Sequence, residues 1–507
     1  MLIGIDLGTT FSLAATVGRN GEPILLPDNS NKNLFHTPSA VHIDGDTAYI
    51  GNVIEARLEQ NPGLPVIRFF KRSFGEKKPL YIDSDQTPWY PESLAALILK
   101  KLMIDAETYT SQPVEGAVIT VPAHFNDKQR KCVLNAASLI NLKVLALLEE
   151  PIAAAMHYGI MNKKYDKTIL VYDLGGGTFD VSVLTMNAEG IFVMGKDGLT
   201  ELGGKEFDEA IGQIILEQFK EELGYDLVLD ARGLLHLRRI SEEIKVELSV
   251  PGTTFVEKVC VLGKHSMEVH ISRKGFEKAI TSLIEQTEEV VQRCIKSVGI
   301  DNVDVDTVIL VGGSSMIPFI KKRLKALFNG EHQEIHAHEP MKAVTFGAAL
   351  HAVQLSGKKV DYEIPPELRG VTGYNLGVRA MNPKTGRVVI DNLVKKNMPL
   401  PSIKEKTYYT TSEDQKRMRL EIIQYLKKGE EEQSLGNLVI GPLPSNQANY
   451  PINVKIENRK DGTVWFRAVD PNSGMEIEKV FGDDEEGGGS LTRQKALVNS
   501  TIIIGSV

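Results

Sequence analysis

Leu2–Val17 reads LIGIDLGTTFSLAATV, and Thr168–Thr185 reads TILVYDLGGGTFDVSVLT. In each, an apolar run ends in Asp-Leu-Gly, passes through a short Thr/Gly-rich turn and resumes at a Phe, the pattern of strand, tight turn and strand. Each copy sets one carboxylate, Asp6 or Asp173, beside a turn with exposed backbone N–H groups. The turns are Thr9-Thr10-Phe11 in the first copy and Gly175-Gly176-Gly177-Thr178-Phe179 in the second. Such N–H groups suit phosphate oxygens, glycine lets the chain approach a phosphate without a Cβ, and the carboxylates suit a divalent cation held through water. No Gly-Lys-Ser/Thr follows either turn and each leads into a strand, so neither is a Walker-type loop. An ordinary glycine hairpin is the plain alternative for either copy alone. Repetition with the aspartate at one offset argues against it, and predicts two similar lobes facing one polyphosphate, ATP with magnesium.

Working outward, 507 residues allow roughly three to four domains. A hydrophobic content of 42% suffices for large cores, and a formal net charge of −8 leaves no polycationic footprint, so nucleic acid is a poor partner. Cys132, Cys260 and Cys294 are far apart and form no C-x-x-C, as expected of packing residues in a reducing compartment. Met1 runs straight into the first strand with no basic leader or cleavage site. No apolar run approaches the ~20 residues that cross a bilayer. These features predict a cytoplasmic protein with no membrane partner.

Strands and helices alternate from residue 1 to about 358. Val114–Val121 is an apolar strand, Pro122 ends it, and Asn126–Asn141 has helical spacing with Asn126 or Asp127 as N-cap. Thr307–Val311 is a buried strand, after which Gly312-Gly313-Ser314 turns toward a helix near Pro318. Such alternation predicts α/β sheets. Residues 359–371, with Gly370 and the paired Pro365 and Pro366, read as a linker. Residues 372–482 carry short strands between turn signals at 382–386, 460–462 and 471–474, which predicts a β-sandwich of roughly 110 residues. Residues 483–507 are expected to form a flexible tail with at most a short helix near Leu491–Val498. Glu430–Glu432 reads as a solvated turn.

Other stretches have weaker signals. Glu150-Pro151 opens a helix, where a carboxylate also suits the helix dipole. Gly203-Gly204 follows a predicted strand. Lys71-Arg72 follows the apolar Val66–Phe70, although such pairs are commonly solvated surface. Glu242, Lys245 and Ser249 share one face of a helix over Arg239–Ser249. His336 and His338, with His332 nearby, are metal candidates in principle, but no carboxylate or Cys spacing supports a closed site.

IGIDLGTTF, TVPAHFNDKQR, EEPIAAAMHYG, YDLGGGTFDVSVL, LGGKEFD and LVGGSSMIP occur in the order and at about the spacing of the seventy-kilodalton heat-shock (DnaK-type) chaperones. The chain resembles that family over residues 1 to about 480. The resemblance implies a two-lobed actin-like ATPase domain followed by an all-β sandwich that binds extended apolar peptide. It further implies ATP hydrolysis to ADP with Mg2+, unfolded clients, a J-domain co-chaperone and a nucleotide exchange factor. On the matching positions, Thr9, Thr10 and Phe11 correspond to the first phosphate turn, and Gly175, Gly176, Gly177 and Thr178 to the second. Asp6 and Asp173 correspond to outer-sphere magnesium carboxylates, Lys71 to the cation at the γ-phosphate, and Glu150 to the water-orienting carboxylate. Pro122 and Arg130 correspond to an interdomain relay. Gly203, Gly204, Glu242, Lys245, Ser249, Gly312, Gly313 and Ser314 correspond to nucleotide contacts.

The chain departs from that pattern in four places. Val246 and Met316 stand where the family sandwiches adenine between two arginines, and Lys205 and Met341 where acidic residues are usual. Glu367-Leu368-Arg369-Gly370-Val371 replaces a leucine-rich linker, which at ~0.025 kcal/mol per Å2 predicts weakened domain coupling. An insertion, Asn382–Arg387, lengthens one sandwich loop. Met381, Tyr409, Ser412, Leu420 and Ile422 are candidate groove residues, with sandwich core as the plain alternative for each. No helical lid of the family's kind is expected, since the sequence beyond Leu491 is too short to cover a groove. A different class remains open: a nucleotide-gated adaptor whose β domain docks one folded partner. A sugar kinase or an actin-type filament former on the same scaffold fits less well.

Overall fold

A computed structural model describes residues 1–31, 33–162, 166–337, 339–357, 367–381, 386–426, 432–444, 449–460, 462–480 and 491–505. Most of the expected linker, including its prolines, lies outside the described residues, as do positions 382–385 of the insertion, His338, residues 430 and 431 of the acidic run, position 461 of the 460–462 turn, and the start of the tail.

The two Asp-Leu-Gly copies sit at the centres of two six-stranded sheets with the same inner order. In the first, Leu2–Asp6 pairs parallel with Gly116–Val121, which pairs parallel with Val144–Glu149. On its other side Leu2–Asp6 pairs antiparallel with Phe11–Val17, and that strand with Pro23–Leu25. In the second, Lys167–Leu174 pairs parallel with Thr307–Val311, and that strand parallel with Glu334–His336. On its other side lie Phe179–Asn187 and Gly190–Leu199, both antiparallel. The parallel pairs need crossovers, and matching helices supply them, Asp127–Leu139 in the first half and Pro318–Leu327 in the second. The sequence repeat is therefore a repeat of topology.

Three apolar clusters hold this part together. One belongs to the first sheet and the Pro91–Thr110 helix. One belongs to the second sheet and the helices Gly204–Leu223, Ala231–Ser249 and Arg273–Ser297. The third joins them: Val118 and Leu148 from the first sheet and Ile169 and Val171 from the second close on Ala153, Ala154 and Ala155. The helices Glu150–Asn162 and Ala343–Leu355 cross there so closely that a Cβ on Gly347 would lie 1.9 Å from the Ala153 carbonyl oxygen. Asn126 caps the Asp127–Leu139 helix as its sequence predicts, accepting from Gln129 N (2.9 Å) while Gln129 Oε1 accepts from Asn126 N (3.0 Å). Cys132, Cys260 and Cys294 are buried and unpaired.

The chain then forms two four-stranded antiparallel sheets. One orders Val388–Val394, Asn375–Met381, Met418–Tyr425 and Gln433–Ile440; the other orders Ser402–Tyr409, Pro451–Asn458, Val464–Val469 and Glu476–Val480. Their inner faces share one core containing Leu376, Val378, Leu420, Ile422, Ile456 and Phe466. The assignment of Leu420 and Ile422 to a groove is corrected: at 3% and 0% exposure they fill the sandwich, because alternate residues of their strand point inward. Met381 and Tyr409 are exposed, and Ser412 lies on an exposed bend.

Two further expectations change. Glu367–Arg369 is an added strand, parallel to Gly190–Leu199 with Leu368 opposite Ile191. Docking here uses a backbone ladder, Leu368 against the shared core, and the Arg369 guanidinium 5.5 Å from the Phe192 ring centre, so few leucines are required. In the tail the short helix expected near Leu491–Val498 is present, and a strand that was not expected follows it. Leu491–Ser500 is a helix with Val498 fully buried, and Ile502–Ile504 pairs parallel with Thr47–Ile50. Its apolar residues are legible in sequence, but the strand edge that receives them is not. No helix among the described residues is long and apolar enough to cross a membrane.

These positions separate by stability. Ile422→Ala should cost about 2–5 kcal/mol in urea unfolding, whereas Met381→Ala should stay within about 0.5 kcal/mol. Equal costs would contradict the inward placement of Ile422.

Candidate active site

The two turns touch. A Cβ on Gly176 would lie 1.9 Å from Thr10 Oγ1, a buried oxygen with no hydrogen-bond partner. The second turn is stitched to the next helix by Gly204 N to Gly175 O (3.0 Å) and Lys205 N to Gly176 O (2.9 Å). Gly203 has no room for a side chain, its Cβ position being 2.5 Å from Gly177 N. Gly312, at φ +81°, brings the Gly313–Met316 turn against the Leu174 carbonyl, and buried Ser314 reaches the Gly204 backbone. The sequence thus places Thr9, Thr10, Gly175, Gly176, Gly177, Gly203, Gly204, Gly312 and Ser314 in one cleft, because each glycine removes a side chain that would separate the strands.

Charge collects at the floor of that cleft. Lys71 Nζ lies 3.0 Å from Glu150 Oε1, with both residues largely buried. Asp6 ends its strand beside Thr120, whose hydroxyl donates to Asp6 Oδ1 (3.3 Å). Buried Asp180 faces His124 Nδ1 at 2.5 Å. Burial pushes the Glu150 carboxyl up to about 7, with Asp6 and Asp180 adding to the rise and Lys71 opposing it. Asp173 is held well above the usual carboxylate range by burial, then by Glu150, Asp180 and Asp6. Burial raises Asp6 against the pull of Lys71. Asp6, Glu150 and Asp173 therefore share Lys71 as a nearby cation while Asp180 adds negative charge at Glu150 and Asp173, a donor set that suits added positive charge. No three His, Cys, Asp or Glu among the described residues converge to hold an ion directly. The set fits a magnesium ion that keeps its waters and takes phosphate oxygens.

Several participants were not singled out in the sequence. Arg72 Nη2 donates to Gly177 O (2.6 Å) and meets Glu206 at 3.2 Å, crossing from the first half to the second. Glu206 in turn accepts from Gly203 N (2.8 Å). Asp180 directly follows the second motif's Phe179, and Arg72 directly follows Lys71, so adjacency was the available signal.

The remaining candidates divide. Lys245 Nζ pairs with Asp208 Oδ1 (2.7 Å) and lies 3.3 Å from Gly204 O, at the cleft. Ser249 donates back to Lys245 O (2.7 Å), its own helix. Glu242 is half-buried, and Val246 and Met316 are 58% and 54% exposed. His332 Nε2 meets the Val303 carbonyl and His336 packs on Tyr158, so neither forms a metal cluster within the described residues. Arg130, four residues into its helix, pairs with Glu149 (2.7 Å), which also takes Lys196 (2.7 Å). Phe125 N donates to Pro122 O (3.1 Å), the turn that brings Arg130 there.

Comparison with known proteins matches a family model described as Hsp70 protein to residues 2–487. This chain belongs to the Hsp70 family. It is 34% identical over 479 residues to the chaperone protein DnaK of two strains of Halobacterium salinarum, covering 93% of this chain and 73% of the relative. Hsp70 membership brings the family's ATP-binding ATPase part and β-sandwich, and places the chain among heat-shock chaperones of protein folding.

The Glu150 shift has a measurable sign in this Hsp70 protein. Because its folded pKa, about 7, exceeds the ordinary 4.5, the folded state binds the extra proton between those values. That contribution to stability is full below about pH 4.5 and is lost as pH rises through about 7. Thermal unfolding of the ligand-free protein should therefore show a decline between pH 5 and 8 that Glu150→Gln flattens. Parallel profiles for the two proteins would refute the shift.

Proposed function

We propose that residues 1–358 form a two-lobed actin-like ATPase that hydrolyses ATP to ADP and phosphate. Residues 359–371 then serve as linker and 372–482 as the part that binds extended apolar peptide. The observation that carries the chemistry is the Lys71–Glu150 pair at the floor between the touching turns (3.0 Å).

In this reading the N–H groups of Thr9, Thr10 and Phe11 and of Gly175, Gly176, Gly177 and Thr178 hold the phosphates. The ammonium of Lys71 meets the γ-phosphate and offsets charge as the bond to the leaving oxygen lengthens. Glu150 accepts a hydrogen bond from the attacking water and aims its lone pair in line. Asp6 and Asp173 would hold a magnesium ion through its waters, and that ion would supply positive charge against the phosphates. Positioning and electrostatics supply the rate, with no covalent intermediate. Glu242, Lys245, Ser249, Gly313 and Ser314 contact the nucleoside, and Val246 with Met316 flank the base by apolar burial in place of stacking on guanidinium groups.

Nucleotide state reaches the β part through Pro122 and Arg130. Adjacency supports this: Glu150 pairs with Lys71 in the cleft while its neighbour Glu149 pairs with Arg130 and Lys196 beside Gly370. Met381, Tyr409 and Ser412 remain the exposed candidates for peptide contact. Unfolded peptide clients, a J-domain co-chaperone and a nucleotide exchange factor are the partners, in a cytoplasmic setting.

Lys71→Ala should slow single-turnover hydrolysis by about 100-fold or more while leaving ATP bound. Similar rates for variant and wild type would remove the role given to Lys71. Titration calorimetry should find ATP and GTP bound with similar affinity, since no guanidinium stack selects adenine; a strong ATP preference would contradict the apolar clamp. Fluorescence anisotropy should detect broad micromolar binding of unfolded apolar peptides, and silence with every peptide would favour the folded-partner adaptor.

A further inference from the structure

The tail is anchored far from the part of the chain it follows. Val498 is fully buried in the first-half core, with Leu497 and Ile503 packed against it. Gln494, 3% exposed, accepts from Ser93 Oγ (2.8 Å) and donates to Glu92 Oε1 (3.0 Å). Lys100 Nζ donates to the carbonyls of Val498 (2.9 Å) and Thr501 (3.0 Å), closing the tail helix at its negative end. Asn499 Nδ2 donates to the Leu139 carbonyl (3.1 Å), the last residue of the Asp127–Leu139 helix.

That helix has a second role at its other end. Asn126 Nδ2 meets Gln433 Oε1 (3.2 Å), Lys128 Nζ donates to Ser434 O (2.7 Å), and Asp127 Oδ1 accepts from the backbone of Val464 (2.7 Å). The β-sandwich therefore docks on the start of the helix while the tail docks on its end. The sandwich leaves the ATPase part through the Glu367–Arg369 strand and is brought back by Leu491, only residues 481–490 intervening between its last strand and the tail helix.

We infer that residues 491–505 are an intramolecular strap, which closes the chain into a loop and holds the β-sandwich against the Asp127–Leu139 helix. Ten residues reach at most roughly 36 Å. A sandwich that leaves its contacts stays near them, and the strap raises the effective concentration of redocking whichever nucleotide is present. This rests on the packing of the tail and not on the assignment of the cleft chemistry.

The test is hydrogen exchange on the full chain. The amide of Val464, donated to Asp127 across the interface, reports docking of the sandwich; the amides of Val498 and Ile503 report docking of the tail. Inserting thirty Gly/Ser residues between Gly488 and Gly489 lengthens the connection about fourfold and slackens the strap, leaving the Glu367–Arg369 strand as the remaining tether. Exchange at Val464 should accelerate by about twofold or more while Val498 and Ile503 stay protected. Val498→Asp, which frees the tail without lengthening it, should accelerate Val464 at least as much, with unchanged protection at Ile169 verifying that the ATPase part is folded. Unchanged Val464 exchange in either variant, given the stated controls, overturns the proposal.

Discussion

One ammonium shared among buried carboxylates organises the cleft. Lys71 lies against Glu150, and Asp6, Asp173 and Asp180 sit near enough to raise one another's or Glu150's proton affinity. Such a group is poorly neutralised on its own and suits a ligand that brings positive charge. The surroundings exist to keep that arrangement. The two Asp-Leu-Gly strands end side by side, the turns interlock through Gly176 and Thr10, and Arg72 ties the first half to Gly177 and Glu206 in the second.

The same constraint reaches beyond the cleft through two consecutive residues. Glu149 closes its strand and Glu150 opens the next helix, so their side chains diverge. One takes Lys71, the other Arg130 and Lys196. A movement of this junction displaces both pairs together, since a buried carboxylate cannot leave one cation without finding another. Arg130 stands on the helix that carries the sandwich contacts, so the proposed relay from cleft to β part would run through contiguous contacts. The Glu367–Arg369 strand adds a backbone ladder to that route, so loss of leucines from the linker did not remove its attachment.

Legibility varied with the range of the interaction. The Asn126 cap, the Gly-rich turns and the strand on each side of them depend on neighbours within a few residues, and their residue types declare them. Arg72 and Asp180 were harder, because a lone Arg after Lys and an Asp after Phe have many solvated counterparts. Leu420 and Ile422 look alike whether they line a groove or fill a core; only the facing sheet, with Ile456 and Phe466, decides. The docking of the tail is illegible for a related reason. Its Ile-Ile-Ile run is strand-like in any context, but its partner is an edge near the start of the chain.

Sequence alone determined the duplicated strand–turn–strand units, the carboxylate at the end of each, and the alternation that builds two α/β halves followed by a β-sandwich. These follow from periodicity and from turn residues whose lack of side chains lets the strands close on one another. Tertiary structure alone decided which buried charges share Lys71, how the linker attaches, and where the tail ends. Those outcomes depend on contacts between segments far apart in the chain, whose energies come from burial and charge pairing that no local window contains.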